Sequence, residues 1–166
     1  DSLKKKVTGP SRVALFRSIA LLVTKKVRNV PEDVGALLVS ELNQKEPVEM
    51  LHLSHIILTI FPTHSDHYRK TFALVSCNDA LIKDKVLTSL RDEDVLVLLL
   101  LSEQLCVSEV SPLALRAAAL ASIWRNHLVR KQAHTVIRRL AQRIPGFGKS
   151  LLHELYVTLE NGYLDQ

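Results

Sequence analysis

An all-α fold is what this sequence predicts, and three observations predict it. The apolar residues are dominated by Leu, and aromatic residues make up only 5% of the 166-residue chain. That mixture packs helix on helix more readily than it alternates on a sheet. Only five Gly and six Pro are present, so turns are few and regular elements are long. Several of the Pro stand immediately before Leu-rich segments of helical period, where the missing N–H costs nothing. We expect about eight or nine short antiparallel helices, arranged as a helical-repeat solenoid or an irregular bundle.

Residues 1–10 read as a flexible basic arm, with Lys4, Lys5 and Lys6 ahead of the breaker pair Gly9-Pro10. Residues 11–166 read as one helical domain, long enough to bury a core without disulfides or metals. Ser11 can cap a helix from Arg12 to Val27, with Val13, Phe16, Ala20 and Val23 on one stripe. Pro31, Glu32 and Asp33 suit the start of the next, which runs to Leu42 with Val34, Leu37, Leu38 and Leu42 inward. Pro47 starts a helix that Pro62 stops. His67 to Ser76 follows, with Tyr68, Phe72 and Val75 inward, and Asn78 or Asp79 caps another segment to Leu90. Asp92, Glu93 and Asp94 then complement the macrodipole of a helix from Val95 to Cys106. Its run Val95 to Leu101 could form a buried strand. Leu dominance, and extension through Leu105, favour a helix buried all round. Ser111-Pro112 opens a helix to Trp124, and the chain turns near Asn126. A helix from Leu128 to Arg143 follows, and Ile144 to Gly148 form a loop. The last helix runs from Lys149 to Glu160.

Charge is sharply segregated behind a net of +5. Residues 1–30 carry eight Lys/Arg against one acid, and residues 31–110 carry six against thirteen. Residues 111–150 carry eight Lys/Arg and no acid, while residues 151–166 carry three acids and no Lys or Arg. The acid-free block repels itself unless something anionic offsets it. Candidates are the acidic middle of the same chain, a phosphate backbone, or an acidic protein or membrane surface. Within it, the helix Leu128 to Arg143 puts Val129, Ala133, Val136, Ile137, Leu140 and Ile144 on one arc. Lys131, His134, Arg138 and Gln142 fall opposite, with His127 beside them and Arg139 and Arg143 on the flank. No Glu stands at i±4 to pair with these cations. Such a face suits a phosphate backbone, contacted through Arg125, Arg130, Lys131, Arg138, Arg139, Arg143 and Lys149, and by Lys4, Lys5 and Lys6 of the arm. Arg116 can extend it. Trp124 and Phe147 are the nearby aromatic residues, so binding is expected to be backbone-driven rather than base-stacking.

Catalytic and cofactor motifs do not appear. Gly146 to Ser150 ends in Gly-Lys-Ser, but a P-loop needs Gly where Arg143 stands, and a strand where a basic helix is expected. His52, His55, His64 and His67 form two pairs spaced by three, a spacing that allows shared metal ligation, yet helix and loop separate the pairs. The reading is therefore non-catalytic, with no cofactor, no metal and no small-molecule substrate. The two cysteines, Cys77 and Cys106, sit in apolar stretches and read as free thiols in an intracellular setting. No apolar run approaches the roughly 20 residues of a membrane span. The chain opens on Asp1, as a cleaved transit peptide or a truncation would leave it.

Glu46 to Leu51 echoes Arg91 to Leu96 at a spacing of 45, each opening an apolar helix, so repeat units are expected over about 47–91 and 92–143. The segments Glu46 to Leu58 and Arg91 to Leu105 resemble units of organellar helical-repeat proteins, the heptatricopeptide and FAST-kinase-like arrays of mitochondrial RNA metabolism and mitochondrial ribosomes. The resemblance implies an RNA- or ribosome-associated role in a mitochondrial ribonucleoprotein. The rival reading is a protein–protein adaptor, in which the acidic and basic blocks each dock a neighbouring subunit.

Overall fold

A computed structural model describes residues 32–42, 46–76, 89–107 and 109–160. The described residues are all-α, as expected, and hold seven helices. These are α1 (Glu32–Leu42), α2 (Pro47–Ile60), α3 (Asp66–Ser76), α4 (Asp92–Leu105), α5 (Pro112–Ser122), α6 (His127–Arg143) and α7 (Phe147–Glu160). The helix expected over Arg12 to Val27, most of the one expected to end at Leu90, Cys77, and the arm with Lys4, Lys5 and Lys6 lie outside the described residues.

Local chemistry sets the boundaries. Pro47 and Pro112 occupy first-turn positions of α2 and α5. At the α6 start, Asn126 Oδ1 accepts the Leu128 N–H at 2.9 Å. At α4, Asp94 reaches back so that its Oδ2 accepts the Arg91 N–H at 2.9 Å. The α6–α7 connection is shorter than the sequence suggests, because Phe147 and Gly148 already belong to α7. Gly146 turns the chain at φ 81°, and Phe147 is buried behind it.

The core lies between α2, α4 and α5. Every residue from Glu49 to Leu58 is buried, and no residue of the Val95 to Leu101 run is exposed. That run is a helix enclosed by α2, α5 and α6, as its Leu content favours over a strand. The alanine-rich α5 packs against α4, α6 and α7. Ala114, Ala117, Ala118, Ala119 and Ala121 are all buried, and such small side chains let neighbouring helices approach closely.

A polar seam joins α2 to α4. His52 Nε2 and Asp94 Oδ1 lie 2.7 Å apart with both side chains 0% exposed. Gln104 Nε2 donates to Thr59 Oγ1 at 2.9 Å, and His55 Nδ1 lies 3.0 Å from Gln104 Oε1. Later residues of α2 meet later residues of α4, so the two helices run parallel.

The inward set of α1 differs from expectation. Val34 is exposed, and Gly35 is buried in its place. A Cβ on Gly35 would stand 2.6 Å from His67 Cδ2 and 2.7 Å from Phe61 Cζ. Only a residue without a side chain lets α1 approach this ring pair.

Candidate nucleic-acid interface

The α6 helix carries the candidate surface. Val129, Ala133, Val136 and Leu140, with Ile144 just beyond, are buried, and Ile137 packs against the core's edge. This fixes the rotation of the helix. His127, Lys131, His134, Arg138 and Gln142 are exposed on the other side.

The structure divides the expected cations by what they touch. Arg139 Nη2 donates to Glu103 Oε1 at 2.7 Å, and Arg143 Nη2 donates to the Glu103 carbonyl at 3.2 Å. Arg116 Nε lies 3.0 Å from Glu154 Oε1. Glu103 comes from α4 and Glu154 from α7. The acid-free block is thus partly neutralised by acids outside it, which a search for i±4 partners within one helix cannot find. Arg130 is structural as well. Its Nη1 donates to the carbonyls of Trp124 (2.5 Å) and Arg125 (2.9 Å), tying the α5–α6 corner together.

Arg125, Lys131, Arg138 and Lys149 are exposed and make no ion pair among the described residues. The Arg125 guanidinium lies 5.0 Å from the Trp124 ring centroid. Lys131 and Arg138 sit seven residues apart on one face of α6, about 10 Å along its axis. Lys149 stands apart on α7, in its first turn.

Asp92 is the residue that sequence reasoning undervalued. Read as a helix-dipole acid, it is also a clamp between α4 and the α5–α6 corner. Its Oδ1 accepts Trp124 Nε1–H at 2.6 Å, and its Oδ2 accepts Asn126 Nδ2–H at 2.8 Å. These two bonds hold its carboxyl below the usual aspartate range, and nearby Arg125 adds to the effect. A shallow open cleft of about 530 Å³ lies here, lined by Asp92, Arg125, Asn126, His127, Leu128 and Arg130.

Trp124 and Phe147 are buried in the core, so neither offers a ring to a base. The four spaced histidines are not brought together. His52 pairs with Asp94, His55 with Gln104, His67 packs on Phe61 at 5.0 Å between ring centroids, and His64 is exposed. No cluster of metal-ligating side chains occurs among the described residues. Lys149 and Ser150 lie inside the first turn of α7, preceded by a helix, which is not P-loop geometry. Cys106 is buried and free, and burial pushes its thiol up.

Fold and surface together define a class, an all-α protein of short packed helices with one basic helix face, in which no described helix is long and apolar enough to cross a membrane. No protein-family model, curated protein or solved structure matches the chain.

Proposed function

We propose that this chain is a non-catalytic, repeat-like helical module that binds RNA by its phosphate backbone, as a component of a mitochondrial ribonucleoprotein. One observation carries the reading. Lys131 and Arg138 stand exposed with no ion pair among the described residues, and Arg125 is exposed beside Asp92, while Arg139 and Arg116 of the same block are paired. A helix face under selection for solubility alone mixes signs. The repeat character is supported by the parallel packing of α2 on α4, where Thr59 and Gln104 bond across a separation of 45, the spacing of the sequence echo. The mitochondrial setting rests on the family resemblance of those two helices.

The test is the salt dependence of single-stranded RNA affinity for the wild-type chain and for the triple variant Arg125→Gln/Lys131→Gln/Arg138→Gln. Losing three phosphate contacts lowers the slope of log K against log salt by about 2. Arg130 is left in place, because its loss would loosen the α5–α6 corner and confuse binding with folding. A folded triple variant with wild-type affinity and slope would refute the RNA reading and leave the adaptor reading standing.

A further inference from the structure

The outer face of α7 carries a pattern that the RNA reading does not use. Leu152, Tyr156 and Leu159 are 69%, 67% and 63% exposed, at the i, i+4, i+7 spacing of one helical stripe. Phe147, Leu151 and Thr158 are buried on the opposite side, and Glu154 is held by Arg116 of α5. The helix is therefore fixed in rotation, and the stripe faces away from its own core. Isolated exposed Leu residues are ordinary, but a two-turn apolar stripe on one helix marks a contact surface.

Charge identifies the occupant. Lys149 and Glu160 are both exposed, and at 100° per residue they fall with Leu152, His153, Tyr156 and Leu159 inside one arc of about 120°. Lys149 lies at one end of the stripe and Glu160 at the other, about 16 Å apart along the axis. The Lys149–Glu160 pair and the Leu152–Leu159 pair are centred within a residue of Leu155. A face with this layout is complementary to itself when turned through 180°. Lys149 of each copy then meets Glu160 of the other, Leu152 meets Leu159, and the two Tyr156 rings lie at the centre. This is the isologous arrangement that two-fold symmetry requires.

We propose that α7 is a self-association surface, on which a second copy of this chain docks through its own α7 in antiparallel orientation. The proposal does not rest on RNA binding, and it takes Lys149, one of the cations expected to meet phosphate, as a contact between copies. A single helix pair buries less than a standard stable interface, so the association is weak and concentration-dependent.

Sedimentation of the full chain from about 1 μM to about 1 mM reads this out. The mass is expected to rise from 18.6 kDa toward twice that value across the series. Tyr156→Lys, which sets two like charges at the centre of the pair, is expected to hold the chain at the monomer mass throughout. Lys149→Glu or Glu160→Lys alone places like charges opposite each other twice per dimer and weakens association by roughly 3- to 10-fold. The exchanged pair Lys149→Glu/Glu160→Lys restores it. All three positions are exposed, and an unchanged circular dichroism spectrum confirms that each variant is folded. Three results would each overturn the proposal. They are a wild-type chain that stays monomeric across the series, a dimer indifferent to Tyr156→Lys, and a double exchange that fails to restore what the single changes lose. The first would leave the stripe to a different partner.

Discussion

Replacing Gly35 by Ala sets two opposing effects against each other. Ala is the better helix former, and inside a helix the exchange is worth about 1 kcal/mol in favour of folding. Against this, the new Cβ would stand 2.6 Å from His67 Cδ2, 2.7 Å from His67 Nε2 and 2.7 Å from Phe61 Cζ. These are not flexible chain ends. Both rings are buried and lie against each other, so neither moves without disturbing the packing of α1 on α3. Overpacking of this kind costs about 1–3 kcal/mol, and contact with two rigid rings places Gly35 near the upper end. The net expectation is a loss of about 2 kcal/mol, or a fall in Tm of roughly 4–8 °C for a chain of this size. Thermal unfolding followed by circular dichroism measures it. Ala36→Gly, at the exposed neighbouring position, isolates the propensity effect and is expected to cost about 1 kcal/mol. In a His67→Ala background the cost of Gly35→Ala shrinks or changes sign, because the ring edge is gone. An unchanged or raised Tm for Gly35→Ala in the wild-type background would refute the steric account. So would an equal cost in both backgrounds.

Other expectations follow from the buried polar groups. Asp94→Ala is expected to cost about 3–5 kcal/mol by chemical denaturation, because it strands His52 in the core. Replacing both partners, as His52→Leu/Asp94→Ala, recovers most of that loss, and an additive double variant would show that the two do not act as a pair. Asp92→Ala removes the acceptor of the buried Trp124 N–H, at a cost of roughly 1–3 kcal/mol near neutral pH. The folded-state pKa of Asp92 is depressed. Its contribution is therefore present above the unfolded value of about 3.9 and is lost as pH falls through the lower folded value. Tm profiles of wild type and Asp92→Asn should accordingly draw together as pH falls through the folded value, and a gap of the same size at neutral pH and in strong acid would contradict the assignment. Cys106, in a Cys77→Ser background, should react with a thiol reagent only as fast as the core opens, and rapid labelling of the native state would count against its burial.

Much of the helical framework was legible because its signals are local. Pro47, Pro112 and Asn126 place helix starts to within a residue, and the 3.6-residue period of α6 separates Val129, Val136 and Leu140 from Lys131 and Arg138. What failed to show is non-local. That Gly35 and not Val34 faces the core depends on where the Phe61 and His67 rings lie after the chain has turned twice. Arg139 meets Glu103 across 36 positions of sequence, and Asp92 meets Trp124 across 32. No periodicity within one helix encodes such pairings. Sequence alone could therefore not sort the expected cations by the partners they meet. Arg130, Arg139 and Arg143 have internal partners, Arg125 lies on the Trp124 ring beside Asp92, and Lys131 and Arg138 make no ion pair among the described residues.

The seam between α2 and α4 bears on uniqueness more than on strength. Two helices that are greasy on nearly every side can pack in many rotations and offsets at similar cost, since one Leu fills a gap much as another does. Moving α4 along α2 by a single turn, 5.4 Å, would leave hydrocarbon contact largely intact but would separate the His52 imidazole from Asp94 and Gln104 from Thr59. His52 and Asp94, both fully buried, would then sit in the dry interior without each other. A few polar atoms thus act as an index mark, selecting one alignment out of many that the apolar surfaces alone would accept.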